Sequence, residues 1–156
     1  MKIYVIGIGL IGGSMTLDIK TLHPEAKIYG IDSNESHLQE AIALGVVDAG
    51  ATFEDLVDAD FVIVSVPVDV ALVVLPKVLD VIGENTIVFE VGSTKTPICE
   101  AVAKHPKRRN FIATHPIAGT EFSGPSAAIK GLFQGKTNII CEVEKTTFKL
   151  QEKALE

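Results

Sequence analysis

Two side chains in this 156-residue chain have types suited to moving a proton. They are Ser93, in Val91-Gly92-Ser93-Thr94-Lys95, and His115, in His115-Pro116-Ile117-Ala118-Gly119-Thr120-Glu121-Phe122-Ser123-Gly124. An imidazole takes a hydroxyl proton readily near neutral pH, and Pro116 keeps the backbone at His115 extended. A serine close to such a histidine can orient the ring or a substrate hydroxyl. A dehydrogenase needs that combination: one group accepts the O–H proton while a nicotinamide takes the C–H hydride. From spacing alone, a structural histidine is an equally good reading, and Ser93 reads as plainly as a turn residue or helix cap.

A second set of residues has the spacing of a phosphate cradle. Lys2 to Ile6 is a run of mostly β-branched and aromatic residues, the pattern of a buried strand. Gly7, Gly9 and Gly12 follow in G-x-G-x-x-G spacing, and a helical run continues through Leu17 and Ile19. Gly7 permits the tight turn, Gly9 admits a pyrophosphate against the backbone, and Gly12 lets the helix pack closely on the strand. Leu10 and Ile11 complete the cofactor-binding turn, where a helix start offers unpaired N–H groups and its positive dipole end. The next strand, Ala26 to Ile31, ends at Asp32, twenty residues past Gly12. A carboxylate there accepts the ribose hydroxyls and repels a 2′-phosphate. Ser33 and Asn34 bring no positive charge to hold such a phosphate, so the expected cofactor is NAD rather than NADP. Ser65, Val66 and Pro67 close a third apolar strand, and its carboxyl end is expected beside the glycine loop, as a further part of the cofactor site.

The elements that must position these groups alternate. Strands are read at Asp60–Pro67, Thr86–Val91, Asn110–Thr114 and Thr137–Glu142, besides the first two. Asn34 reads as the N-cap of a helix carrying Leu38, Ala41, Ile42 and Leu44, and Gly45 as its left-handed stop. His37 falls on the polar side of that helix and reads as solvated, and His23 reads as an exposed turn residue. Val46-Val47 reads as a short strand or edge, and Thr52 as the cap of a brief helix ending near Val57. A helix from Asp69 to about Leu79 is expected to be interrupted or ended by Pro76. Pro97 suits the first turn of another helix, and Thr146 or Thr147 opens a final one. The alternation predicts an α/β fold with a doubly wound, mainly parallel sheet of Rossmann type. Residues 1–144 are read as the dinucleotide-binding domain and 145–156 as the start of a truncated helical segment.

Bulk properties narrow the class. A hydrophobic content of 47% suits a sheet covered on both faces. A net charge of −6 and few aromatic residues argue against nucleic acid as a partner. No apolar run is long enough to span a bilayer, and no metal-ligand set is read. Cys99 and Cys141 form no disulfide framework, so a soluble protein of the reducing cytoplasm is expected.

The stretches around Ser93 and His115, in that order behind the Gly7 loop, resemble the prephenate dehydrogenase family, which includes arogenate and cyclohexadienyl dehydrogenases. The histidine-led decapeptide is the specific part; the glycine loop is generic. The resemblance implies the family's N-terminal nucleotide-binding domain and NAD-dependent oxidative decarboxylation of prephenate to 4-hydroxyphenylpyruvate, on the route to tyrosine. Arogenate-specific or dual-substrate activity, and a non-catalytic NAD-sensing module, are the alternatives. It implies His115 as the base for the ring hydroxyl, Ser93 as the group that orients it, and Thr120 as a substrate-pocket residue. Glu90 departs from the family's usual Asp. The family's helical C-terminal domain, which forms a homodimer and supplies an arginine for the ring carboxylate, is not in this chain. The chain alone is therefore expected to bind NAD with little turnover.

Overall fold

In the computed structural model, which describes residues 1–155, the apolar runs become strands, the central ones buried on both faces and the last, at the sheet edge, largely exposed. The chain runs β1 (Lys2–Ile6), α1 (Leu10–Leu22), β2 (Lys27–Ile31), α2 (Glu35–Ala43), β3 (Ala49–Gly50), a 3₁₀ turn (Glu54–Asp58) and β4 (Phe61–Val64). It continues through α3 (Val68–Val81), β5 (Ile87–Glu90), α4 (Thr96–Val102), β6 (Phe111–Pro116), β7 (Asn138–Cys141) and α5 (Phe148–Leu155). The seven strands lie in the order β3-β2-β1-β4-β5-β6-β7. All neighbouring pairs are parallel except β6–β7, which is antiparallel.

Alternation along the strands sends side chains to the two faces of the sheet. Tyr4, Ile6, Val62, Val64, Val88 and Phe111 pack with Leu75, Val78 and Leu79 of α3 and Ile98 and Val102 of α4. Ile3, Val5, Ile28 and Ile63 pack on the other face with residues of α1 and α2. Helices on both faces of a mainly parallel sheet make the expected doubly wound arrangement. Chain direction across the sheet reverses between β1 and β4, opening a crevice at the carboxyl ends of the strands. No helix among the described residues is long and apolar enough to cross a membrane.

Several local expectations change. Val46 and Val47 are buried but belong to no strand, because both N–H groups donate to the Ala41 carbonyl and finish α2; the edge strand is Ala49–Gly50. Asn34 does cap α2, its Oδ1 accepting the Ser36 N–H at 3.0 Å, and Gly45 has φ +69. Thr52 does not cap the following turn with its own acceptor; its N–H and hydroxyl donate to Asp55 Oδ2 at 2.8 and 3.0 Å. Pro76 lies inside α3 without ending it. A proline costs a helical hydrogen bond, but Leu75, Val78 and Leu79 around it are fully buried, and their packing keeps the helix on the sheet. β6 runs past Thr114 to include His115 and Pro116, which pair with Ile139 and Asn138 of β7.

Candidate active site

The crevice at the glycine loop has a volume of about 650 Å³. Gly7, Gly9, Asp32, Ser65, Val66 and Pro67, all read as cofactor-binding, line it. Gly7 has φ +86, and a Cβ there would stand 2.4 Å from the Ser65 carbonyl oxygen. A Cβ on Gly12 would stand 2.3 Å from the Gly7 carbonyl oxygen. These two glycines therefore hold the turn and the close helix approach. Gly9 differs: an added Cβ would meet nothing within 4 Å, so its missing side chain leaves open crevice rather than packing space. Leu10 is buried and Ile11 packs into the core, and neither they nor Gly12 line the crevice.

Asp32 is locked in place from two sides. Its Oδ2 accepts the Ile8 N–H and its Oδ1 the Asn34 N–H, each at 2.9 Å. A carboxylate has about four acceptor sites, so two remain for ribose hydroxyls. His37, expected to be solvated, is instead half-buried and lines the crevice with Phe53, Val70 and Val74. Its signal was positional: it stands in the first turn of α2, directly after Asp32 and the Asn34 cap. Ser123 and Gly124, at the end of the decapeptide, also line the crevice, a role their sequence did not announce. An open glycine-loop backbone, a fixed carboxylate and an apolar wall fit a dinucleotide.

Ser93 and His115 come from adjacent strands. Ser93 follows β5 on an exposed loop, and His115 lies near the end of β6. Glu90 pairs in register with Ala113, which puts His115 two residues further along on the same face of the sheet. No hydrogen bond joins Ser93 to His115 among the described residues. The His115 ring is half-buried, and its Nδ1 is fully buried with no hydrogen-bond partner. Thr120 is exposed, its hydroxyl oxygen accepting the Phe122 N–H at 3.2 Å. Ser93, His115 and Thr120 stand outside the crevice lining, whereas the chain that follows them returns to it at Ser123.

Glu90 is fully buried beneath the Ser93 loop. Its Oε1 accepts the Gly92 N–H at 2.5 Å, and its Oε2 forms an ion pair with Lys95 Nζ. On the other side of the sheet, two smaller apolar cavities of about 300 and 320 Å³ share Ile19, Leu22, Ile63 and Phe89 and lie away from the glycine loop.

Comparison with known proteins agrees with this arrangement. The family model for the prephenate dehydrogenase nucleotide-binding domain matches residues 15–156. The prephenate dehydrogenase of Bacillus subtilis (strain 168) is 36% identical over 148 residues, covering 92% of this chain and 40% of its own length. The solved structure of prephenate dehydrogenase from A. aeolicus in complex with hydroxyphenyl propionate and NAD+ superposes with a TM-score of 0.89 at 30% identity, over 99% of this chain and 55% of that one. Synechocystis arogenate dehydrogenase gives a TM-score of 0.88 at 29% identity, over 99% and 54%. This chain thus spans about 40% of the length of its curated relative. With the Rossmann-type sheet, the glycine-loop crevice and the match from residue 15 onward, the chain belongs to the prephenate dehydrogenase nucleotide-binding domain family.

Proposed function

We propose that the chain binds NAD in the glycine-loop crevice and that the full-length protein catalyses oxidative decarboxylation of prephenate to 4-hydroxyphenylpyruvate. The observation that carries this reading is the path of the decapeptide. It begins at His115 at the sheet's carboxyl edge and ends at Ser123 and Gly124 in the nucleotide crevice. One short segment thereby links a proton acceptor to the cofactor site.

In this reading the first turn of α1 and the Gly9 backbone hold the pyrophosphate, and Asp32 receives the adenosine ribose. When bound, NAD supplies the acceptor for the hydride leaving the substrate ring carbon that bears the hydroxyl. His115 takes that hydroxyl's proton as the hydride leaves. Its buried Nδ1 leaves Nε2 as the nitrogen that meets substrate. The ring carboxylate departs as carbon dioxide, its bonding electron pair enters the ring, and the aromatic product's oxygen regains a proton. Aromatisation makes the step effectively one-way. Ser93 orients the imidazole or the substrate hydroxyl, and Thr120 lines the substrate side of the pocket. Residues 1–144 act as the dinucleotide-binding domain, and the segment from 145 leads to a helical domain that completes the pocket and the homodimer.

The equal likeness to an arogenate dehydrogenase structure keeps arogenate as a second substrate. NADH formation by the full-length protein with prephenate, then arogenate, tests the reading. Turnover with either establishes the reaction and ranks the substrates. Clear NAD binding without turnover on both would replace it with another dehydrogenase activity or a sensing role.

A further inference from the structure

We propose that the buried Glu90–Lys95 ion pair is a positioning device for Ser93, an inference that rests on the catalytic reading above. Glu90 is 0% exposed and the Lys95 side chain 11%. Charges so far from water persist only when paired and hydrogen-bonded. Both partners lie at the ends of the loop 91–94, whose tip carries Ser93 and Thr94, both exposed.

Every polar contact of the Glu90 side chain among the described residues is made to that loop or to Lys95 at its far end. Oε1 receives the Gly92 N–H, and Oε2 meets Lys95 Nζ, which also points to the Glu90 carbonyl at 3.4 Å. Gly92 makes this possible, because a Cβ there would stand 2.5 Å from Glu90 Oε1. The carboxylate thus fills the space the glycine leaves and ties the loop's two ends together from beneath. Ser93 makes no side-chain hydrogen bond among the described residues, so its place is set by its backbone alone.

The pair is also joined to the strand that bears His115. The Thr114 hydroxyl donates to the Glu90 carbonyl at 3.1 Å, and the Glu90 backbone pairs with Ala113. Glu90, the Ser93 loop and His115 therefore form one mechanically connected unit. A buried ion pair is poor value as a source of stability, since apolar residues of similar size do as well or better. Fixing a loop's geometry is a use for which it is suited.

The test uses the full-length protein and three variants: Glu90→Asp, Glu90→Gln, and Glu90→Gln combined with Lys95→Met. The double variant removes both charges and so avoids the unpaired buried ammonium that Glu90→Gln alone would leave. The expected result is a kcat at least tenfold lower for the double variant, with KM for substrate within threefold and NAD affinity within twofold of wild type. Glu90→Asp, which keeps the charge, recovers kcat to within threefold. A double variant with wild-type kcat overturns the proposal, as does a parallel fall in kcat, NAD affinity and thermal midpoint. Failure of the wild-type protein to oxidise prephenate or arogenate would instead overturn the catalytic reading beneath it.

Discussion

At the residue scale, the three glycines separate into two jobs. Gly12→Ala forces a Cβ against the Gly7 carbonyl and should cost about 1–3 kcal/mol of stability. Gly9→Ala places its methyl in open crevice, so thermal unfolding should shift little while NAD affinity falls by about tenfold, or ~1.4 kcal/mol. Melting curves and calorimetric titration of the two variants check this contrast. His115 has a different signature. His115→Asn in the full-length protein should lower kcat by about 100-fold or more while leaving NAD affinity within about twofold. Unchanged turnover would remove His115 from the chemistry. The histidine was legible from its motif, but its buried and unpartnered Nδ1 was not, because burial depends on the strand pairing of β6 with β7.

At the element scale, α1 does more than present its N-terminus to the crevice. The Ser14 hydroxyl donates to the Leu10 carbonyl at 2.6 Å and accepts the Ile129 N–H at 2.9 Å, while Asp18 Oδ1 accepts the Gly131 N–H at 2.6 Å. The long connection between β6 and β7 is thereby moored on the helix that follows the glycine loop. Ser14→Ala should leave the Ile129 N–H without its partner and destabilise the domain by about 1–3 kcal/mol, read from urea unfolding. The Ile129 amide should also exchange faster with deuterium. Nothing near Ser14 in sequence indicates this partner 115 residues away. Pro76 shows the same limit in reverse. Its local rule breaks a helix, yet the apolar stripe of α3 against the sheet outweighs that rule.

At the scale of the whole molecule, acid sensitivity follows from carboxylates held by cationic and N–H partners, some on distant elements and one, Lys145 beside Glu142, close in the chain. Burial pushes the Asp48 carboxyl up, but the Ile28 N–H and the Lys20 ammonium together hold it below the usual 3.8. Lys145 and Arg108 hold Glu142 below the usual 4.5. Groups with lowered folded-state values contribute stability that is complete above the ordinary carboxylate range and lost as pH falls through the folded values. The thermal midpoint should therefore fall progressively below about pH 4. Glu142→Gln should show a smaller fall over the same range, and a midpoint unchanged on acidification would contradict the assignment. Arg108 also lies over the Phe111 ring at 5.0 Å from its centre and donates to the Phe111 carbonyl at 3.0 Å, so acid would loosen the root of the strand that carries His115.

The amino-acid sequence by itself determined the strand-glycine-helix start, Asp32 at the end of the second strand and the alternation that makes the sheet doubly wound. Those features depend on short-range sterics and periodicity: a glycine's freedom, a β-branched run, a cap residue at a helix start. Tertiary structure alone decided which polar groups meet. It turned His37 toward the crevice, brought Ser123 and Gly124 back to it, used Val46 and Val47 to finish a helix, and buried Glu90 with Lys95 under the Ser93 loop. The reason is physical. Local pattern states which face of an element is apolar, but the partner of a polar atom is chosen only when separate elements pack and each buried donor and acceptor must be satisfied.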